Sequence, residues 1–245
     1  MKAAIIRFPG SNCDQDCFVA LNNVFNIETH YVWHKETSVE PFDLIVLPGG
    51  FSYGDYLRCG AIARFSPVMQ SVIAEVNKGK LVLGICNGFQ ILCEARLLPG
   101  ALIRNKSLHF ICQHRLVRIE DIASPFIHAE TAHADGSHIT PRTGALLNIP
   151  VAHGEGCYVA DAPTLDTLNR NRQVLLRYVD ERGNASEAAN PNGSAENIAG
   201  ICNARRNVFG LMPHPERACE KRLGSEDGRI IFESVLNTLG VRKAA

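Results

Sequence analysis

The sequence lacks an excess of either charge, a long apolar segment and an even set of cysteines. Its 245 residues include 25 basic and 25 acidic side chains, so the formal net charge is zero. No global field attracts nucleic acid or an anionic membrane, and a small neutral or zwitterionic ligand is the better match. No apolar run is long enough to span a membrane, and the N-terminal MKAAIIRFPGSNC lacks a signal-peptide pattern. We therefore expect a cytoplasmic protein.

The nine cysteines are odd in number and scattered along the chain. Without an export signal, this pattern predicts reduced thiols rather than a disulfide framework. Cys13 and Cys17 are the closest pair, and no second pair stands nearby to complete a zinc site. We expect no metal site, and we expect most of the cysteines to be small buried hydrophobic residues.

Short apolar runs alternate with helix-like segments in the first half of the chain. Four runs are too short for helices and are typical of strands buried on both faces: KAAIIRF, IETHYVW, DLIVLP and LVLGI. Between them, DQDCFVALNNVF and AIARFSPVMQSVIAEVNKG repeat apolar residues three and four apart, which predicts helices, the second ending near Gly79. Strands that alternate with helices imply a parallel sheet covered on both faces.

The second half of the chain is richer in turns. The runs VLLRYVD, IAGIC and VFGLM are separated by turn residues, which predicts strands added in antiparallel fashion. DGRIIFESVLNTLG is an amphipathic helix that ends near Gly240. No linker divides the chain. We predict one α/β domain over residues 1–245, a three-layer sandwich with a mainly parallel central sheet and added antiparallel strands.

Cys86 stands where the apolar run LVLGI ends and a helix-like segment begins. Ligands of open α/β sheets bind beyond the carboxyl ends of the strands. Gly84 and Gly88 flank the cysteine at two residues on either side, so the backbone can turn sharply and present the thiol, as in a nucleophile elbow. The positive end of the following helix favours a thiolate. This pattern predicts a nucleophile, although a structural cysteine at a strand end fits it as well.

A thiol nucleophile needs a base and a group that orients the base, and GLMPHPERA offers both. The residues before Pro213 and Pro215 are pushed towards extended geometry, in which side chains two apart face the same side. His214 and Glu216 would then form the rest of a Cys-His-Glu triad with Cys86. The alternative interpretation is a His-Pro-Glu turn on the surface.

The glycine pair in LPGGFSYGDYLRCG follows the predicted strand DLIV. Glycines at a strand end expose backbone N–H groups that can stabilise the oxyanion of a tetrahedral intermediate. Gly49, Gly50 and the N–H of Asn87 are the candidates. The alternative is a phosphate-binding loop, but the spacing matches neither known glycine fingerprint and the required lysine is missing.

Three further side chains are candidates for contacts with the substrate. Gln90 lies one helical turn after Cys86, so it shares a face with the sulfur. His153 and Glu155, in IPVAHGEGCYV, mark a tight polar turn after a short strand. An exposed helix residue and a plain loop are the respective alternatives.

The histidines at positions 128, 133 and 138 are five residues apart. This spacing does not place them on one helical face, and no cysteine or carboxylate pattern completes a metal site around them. We expect His128, His133 and His138 to lie in a solvated loop, with weak metal binding as the alternative.

Taken together, the motifs resemble those of the class I glutamine amidotransferases, over nearly the whole chain. The motifs that carry the resemblance are GICNGFQIL, RFPGSNCDQD, PGGFSYGDYLRCGAIA, LLPGALIRN, IPVAHGEG, NPNGS and GLMPHPERA. Within that class they resemble the glutaminase subunits of multi-subunit phosphoribosylformylglycinamidine synthases. Two features depart from the family pattern. Cys59 stands where an alanine is usual, which its size should make harmless, and the segment from His128 to Gly144 is longer than usual.

The resemblance implies a role for each matching residue. Cys86 would be the nucleophile, His214 the base and Glu216 its orienting partner. Attack on the side-chain amide of glutamine would leave a glutamyl thioester, which water would hydrolyse, and ammonia would pass to a partner.

The resemblance also implies the partners. They would be a large synthetase subunit that uses ATP and magnesium to aminate formylglycinamide ribonucleotide, and a small third subunit. This chain itself carries no ATP motif, and we expect it to bind no cofactor. The alternatives are a stand-alone thiol hydrolase and an inactive regulatory subunit.

Overall fold

The computed structural model describes residues 1–128 and 141–240. The α-helices are α1 (Asp14–Phe18), α2 (Pro67–Asn77), α3 (Asn87–Glu94), α4 (Ala162–Arg170) and α5 (Arg229–Thr238). The first seven strands are β1 (Lys2–Arg7), β2 (Glu28–Trp33), β3 (Leu44–Leu47), β4 (Leu81–Ile85), β5 (Ala101–Ile103), β6 (Ile111–Ile119) and β7 (Ala123–Ser124). The other six are β8 (Ile127–His128), β9 (Leu146–His153), β10 (Cys157–Val159), β11 (Val174–Tyr178), β12 (Ile198–Cys202) and β13 (Val208–Leu211).

Nine of the described strands form one mixed sheet in the order β2-β1-β3-β4-β13-β12-β11-β6-β9. Neighbours from β2 to β13 run parallel, and those from β13 to β9 run antiparallel. The predicted α/β class, with a parallel centre and added antiparallel strands, is confirmed. One detail was wrong: VFGLM, which contains β13, is antiparallel to β12 but parallel to β4, so it closes the parallel part of the sheet.

The parallel strands are buried because helices cover both faces of the sheet. Every residue of β3, β4 and β13 is buried, as their unbroken apolar runs predict. On one face a side chain at Gly210 would collide with Phe89 of α3. Because neighbours alternate along a strand, Phe209 points to the opposite face, where its ring lies 5.4 Å from that of Phe126, next to β8 and α5.

The predicted helices form, with different ends. The segment DQDCFVALNNVF begins as α1 and continues as a π-helical segment over Val19–Val24. Helix α2 begins only at Pro67. Proline suits the first helical position because an N–H group there would have no partner within the helix, and proline has none. Helix α5 ends two residues before Gly240, which takes the left-handed conformation at φ 71°. Within the described ranges, no helix has the length and apolarity needed to cross a membrane.

Candidate active site

Cys86 occupies a sharp turn between β4 and α3. Its φ is 50° and its ψ is −104°, a conformation that costs energy for a residue with a side chain. A side chain at Gly84 would come within 2.8 Å of Gly88 O, and one at Gly88 would collide with the backbone of Leu47. The two glycines therefore let α3 pack directly on the sheet, and the elbow geometry predicted for Cys86 is present.

Sheet register explains why Cys86 and His214, 128 residues apart, are neighbours. Strands β4 and β13 are adjacent and parallel, with Ile85 opposite Leu211. The N–H of Cys86 donates to Leu211 O at 2.7 Å, so both chains leave the sheet at the same edge. The carboxyl ends of two neighbouring parallel strands thus deliver the thiol and the imidazole.

His214 and Glu216 form a buried hydrogen-bonded pair. His214 Nδ1 lies 2.7 Å from Glu216 Oε1, and the side chains are 1% and 0% exposed. They meet as expected, but Glu216 lies in a short 3₁₀ turn, Pro215–Arg217, rather than in extended chain. Burial lowers the pKa of His214, but the Glu216 carboxylate and the Cys86 sulfur outweigh burial and raise that pKa to about 10. The imidazole therefore holds a proton at neutral pH.

The second ring nitrogen of His214 is free for chemistry. With Nδ1 bonded to Glu216, Nε2 is buried and has no hydrogen-bond partner within residues 1–128 and 141–240. The Cys86 sulfur is 3.6 Å from Ala152 O and interacts electrostatically with the His214 ring. A thiol beside a histidine that a carboxylate orients can transfer a proton and attack a carbonyl carbon.

A cavity of about 370 Å³ opens next to Cys86. Five of the residues predicted from the sequence line it: Cys86, Gly50, Gln90, His153 and Glu155. This volume is suitable for a small metabolite. The structure therefore brings the candidate nucleophile together with one oxyanion candidate and all three substrate candidates.

The oxyanion candidates have different surroundings. Gly50 lines the cavity with φ 140°, a conformation that few side chains tolerate. Asn87 is the first residue of α3, so its N–H is one of the donors at the start of the helix that have no partner within the helix. Gly49 packs elsewhere: a side chain on it would lie 2.8 Å from His214 Cε1 and 3.1 Å from Cys13 Sγ. Its lack of a side chain makes room for the histidine.

A chain of amide hydrogen bonds crosses the base of the cavity. Ser52 N–H donates to Asn87 Oδ1 at 3.2 Å, and Asn87 Nδ2 donates to Gln90 Oε1 at 2.8 Å. Gln90 Nε2 donates in turn to Glu155 O at 2.6 Å. Gln90 is therefore buried and ties α3 to the loop after β9, which excludes the alternative of an exposed helix residue.

Arg104 is a cavity residue that sequence reasoning missed. Its Nε lies 3.7 Å from Glu155 Oε1, so a cation and an anion stand side by side at the cavity wall. Arg104 directly follows β5, whose partner β10 begins two residues after Glu155. The motif LLPGALIRN contains it, but only the pairing of β5 with β10 reveals its neighbour.

The cavity also includes a second carboxylate that the sequence did not indicate. Asp55 lines it, and burial, partly offset by a hydrogen bond from Cys59, raises the pKa of the Asp55 carboxyl. Cys59 is 4% exposed and lines the same cavity, and burial also raises the pKa of its thiol. The cysteine at the usual alanine position fits here as a small buried side chain.

Cys13 lies on the other side of the His214–Glu216 pair. Its sulfur, a His214 ring nitrogen and a Glu216 carboxylate oxygen lie within 4.8 Å of one another, and these are atom types that can bind zinc. However, the Arg217 guanidinium donates to Cys13 Sγ at 3.1 Å, and burial raises the pKa of the thiol. A protonated thiol next to a fixed cation is a poor ligand.

Of the three histidines predicted to lie in a solvated loop, the structure describes only His128. His128 ends β8, and its N–H donates to Ser234 Oγ of α5 at 3.1 Å. This residue is therefore anchored in secondary structure rather than lying in a loop. His133 and His138 lie outside the described residues.

Known proteins are similar to this chain over nearly its whole length. Residues 1–227 match the model of the CobB/CobQ-like glutamine amidotransferase domain. The phosphoribosylformylglycinamidine synthase subunit PurQ of Acaryochloris marina is 52% identical over 239 residues, which cover 98% of this chain and 97% of that protein. The PurQ subunit of Salinibacter ruber is 51% identical over 240 residues, with 98% and 97% covered.

A solved structure is similar over the same length. It is the structure of PurLQS from Thermotoga maritima, in which one chain is 42% identical with a TM-score of 0.82. The match covers 97% of this chain and 98% of that one.

Proposed function

This chain belongs to the CobB/CobQ-like glutamine amidotransferase family, and from that premise we propose that it is the glutaminase subunit of a phosphoribosylformylglycinamidine synthase. It hydrolyses L-glutamine to glutamate and ammonia, and passes the ammonia to an ATP-dependent subunit. That subunit converts formylglycinamide ribonucleotide to the amidine in purine biosynthesis. The observation that carries the proposal is Cys86 on its elbow, beside a histidine that Glu216 orients.

The geometry supports a thioester mechanism. His214 Nε2 already holds the proton that the Cys86 thiol has given up, and the resulting thiolate attacks the side-chain carbonyl carbon of glutamine. The N–H groups of Gly50 and Asn87 stabilise the oxyanion. His214 returns the proton to the departing nitrogen, so ammonia leaves and a glutamyl thioester remains. A water molecule, deprotonated by the same nitrogen, then releases glutamate and restores the thiol.

Arg104 and Glu155 bind the α-carboxylate and α-ammonium groups of glutamine. The α-carboxylate pairs with Arg104 and the α-ammonium with Glu155, so a zwitterion replaces the ion pair between the two side chains. Gln90 holds the Glu155 backbone in place. An uncharged analogue gains neither contact and binds weakly.

The proposed partners are a large synthetase subunit and a small third subunit, since the similar chain of known structure belongs to PurLQS. ATP and magnesium act on the synthetase, and this chain binds no cofactor of its own. We expect the complex in the cytoplasm, in contact with neither nucleic acid nor membrane.

The test is amination by the reconstituted complex with Cys86→Ala. Amination driven by glutamine should disappear, because no thioester forms without the sulfur. Amination driven by an ammonium salt should continue, because amide activation belongs to the synthetase. The matched control is Cys93→Ala, on the helix α3 that follows Cys86. If Cys86→Ala keeps the glutamine reaction, or if glutamine is hydrolysed but never drives amination, the proposal is wrong.

A further inference from the structure

The amide of Asn105 fixes which nitrogen of His153 carries the proton. Asn105 Nδ2 donates to the carbonyl oxygens of His109 and His153, both at 2.9 Å, so Oδ1 of the same amide must accept. It accepts from Gly156 N–H at 2.9 Å and lies 3.0 Å from His153 Nδ1. Nδ1 therefore carries the proton, and Nε2 is a bare hydrogen-bond acceptor.

His153 Nε2 is buried and has no hydrogen-bond partner in the part of the chain that the structure describes. The residue is 3% exposed and lines the same cavity as Cys86. Burial foremost, and the charge on His214, lower the pKa of His153 to about 4, so the ring is neutral at physiological pH. A buried acceptor without a donor is costly, and such atoms are rare in folded proteins. An unpartnered acceptor on a residue that lines the cavity points to a donor supplied by a ligand.

We propose that His153 Nε2 accepts a hydrogen bond from the side-chain NH₂ of glutamine, which makes His153 the residue that selects an amide over a carboxylate. The inference rests on the proposed glutaminase function. A primary amide offers two N–H donors, whereas the carboxylate of glutamate offers only acceptors. A bare nitrogen therefore attracts the substrate and repels the product.

The other polar groups near Cys86 are poorly suited to accept a hydrogen bond from the glutamine NH₂. Gln90 Nε2 and Oε1 are already bonded to Glu155 O and Asn87 Nδ2. His214, which is protonated, offers a donor rather than an acceptor. Ala152 O faces the Cys86 sulfur. His153 is the neutral acceptor that remains among these groups, and its nitrogen can still receive N–H groups after the amide has become ammonia.

The test compares two substrates on the full chain in complex with its synthetase. L-glutamine carries the NH₂ donor, and L-glutamate γ-methyl ester has the same carbonyl without it. His153→Asn keeps an N–H that can reach Asn105 Oδ1 but removes the acceptor at the Nε2 position. His153→Gln is the matched rescue variant, because its side-chain oxygen can reach that position.

In His153→Asn, the ratio of kcat/KM for the ester to that for glutamine should rise about five- to tenfold, as expected for one lost hydrogen bond. His153→Gln should return most of the ratio. Inhibition by glutamate should also become stronger in His153→Asn, because the repulsion is gone. The ratio is taken between two substrates of the same protein, so a general loss of active enzyme cancels.

An unchanged ratio in both variants would overturn the inference and give His153 a purely structural role. A wild-type complex that hydrolyses neither substrate would instead overturn the glutaminase proposal, so the two failures are distinguishable. If His153→Asn does not fold, His153→Gln decides alone: the inference expects its ester-to-glutamine ratio within twofold of the wild type, and a ratio outside that window would overturn it.

Discussion

Cys86 and His214 follow β4 and β13 in the parallel part of the sheet, whereas His153 ends β9, and Glu155 follows it, at the antiparallel end. The first pair is held by buried strands, by glycines and by the register of two neighbouring strands. The second pair is held by the side-chain amides of Gln90 and Asn105, which come from segments far away in sequence. The parallel part therefore positions the reacting atoms, and the antiparallel part forms the wall that recognises the ligand.

This division predicts which kinetic constant each region controls. Changes in the parallel part should lower kcat, because they remove groups that act in the transition state. Changes in the antiparallel part should raise KM or alter selectivity.

The largest effect is expected for His214→Ala. Loss of the base should lower kcat for glutamine hydrolysis about 10³- to 10⁴-fold, within the range for general acid–base catalysis. His114→Ala, which changes an exposed histidine of β6, is the control and should be near normal. Steady-state assays of glutamate release measure both. A loss of less than tenfold in His214→Ala would remove the residue from the mechanism.

A smaller effect with a pH signature is expected for Glu216→Gln. We expect kcat to fall about 10²-fold, because the amide orients the ring but adds no charge. The carboxylate helps to raise the pKa of His214 to about 10, so its removal lowers that pKa. The alkaline limb of kcat/KM, where His214 loses its proton, should move to lower pH.

The control for Glu216→Gln is Glu220→Gln, whose carboxylate pairs with Arg222 at 2.8 Å near the surface. Its pH profile should match that of the unchanged protein. An alkaline limb that stays in place in Glu216→Gln would show that the carboxylate does not act through His214.

The smallest effect is expected in the antiparallel part. Arg104→Gln removes the proposed partner of the α-carboxylate, so KM for glutamine should rise about tenfold while kcat changes little. Arg96→Gln, at an exposed site after α3, is the control. A fall in kcat with unchanged KM would contradict the division between the two regions.

The sequence predicts the parallel part better than the antiparallel part, for a physical reason. Buried parallel strands leave unbroken apolar runs, and the flanking glycines mark the elbow at Cys86, so both features are visible locally. Arg104 and Asn105 act through bonds to residues about 50 positions away. Such bonds leave no period in the sequence. The apolar run VFGLM likewise predicts a strand, but it could not show that β13 pairs with β4.

The central claim is that Cys86, and not Cys13 on the other side of His214, is the nucleophile. The most direct measurement is mass-spectrometric mapping of all nine cysteines after treatment with a chloroketone analogue of glutamine. We predict one adduct, on Cys86, that excess glutamine prevents, because Cys13 is held as a thiol by its burial. An adduct on Cys13, or labelling of Cys86 that glutamine does not slow, would contradict the account.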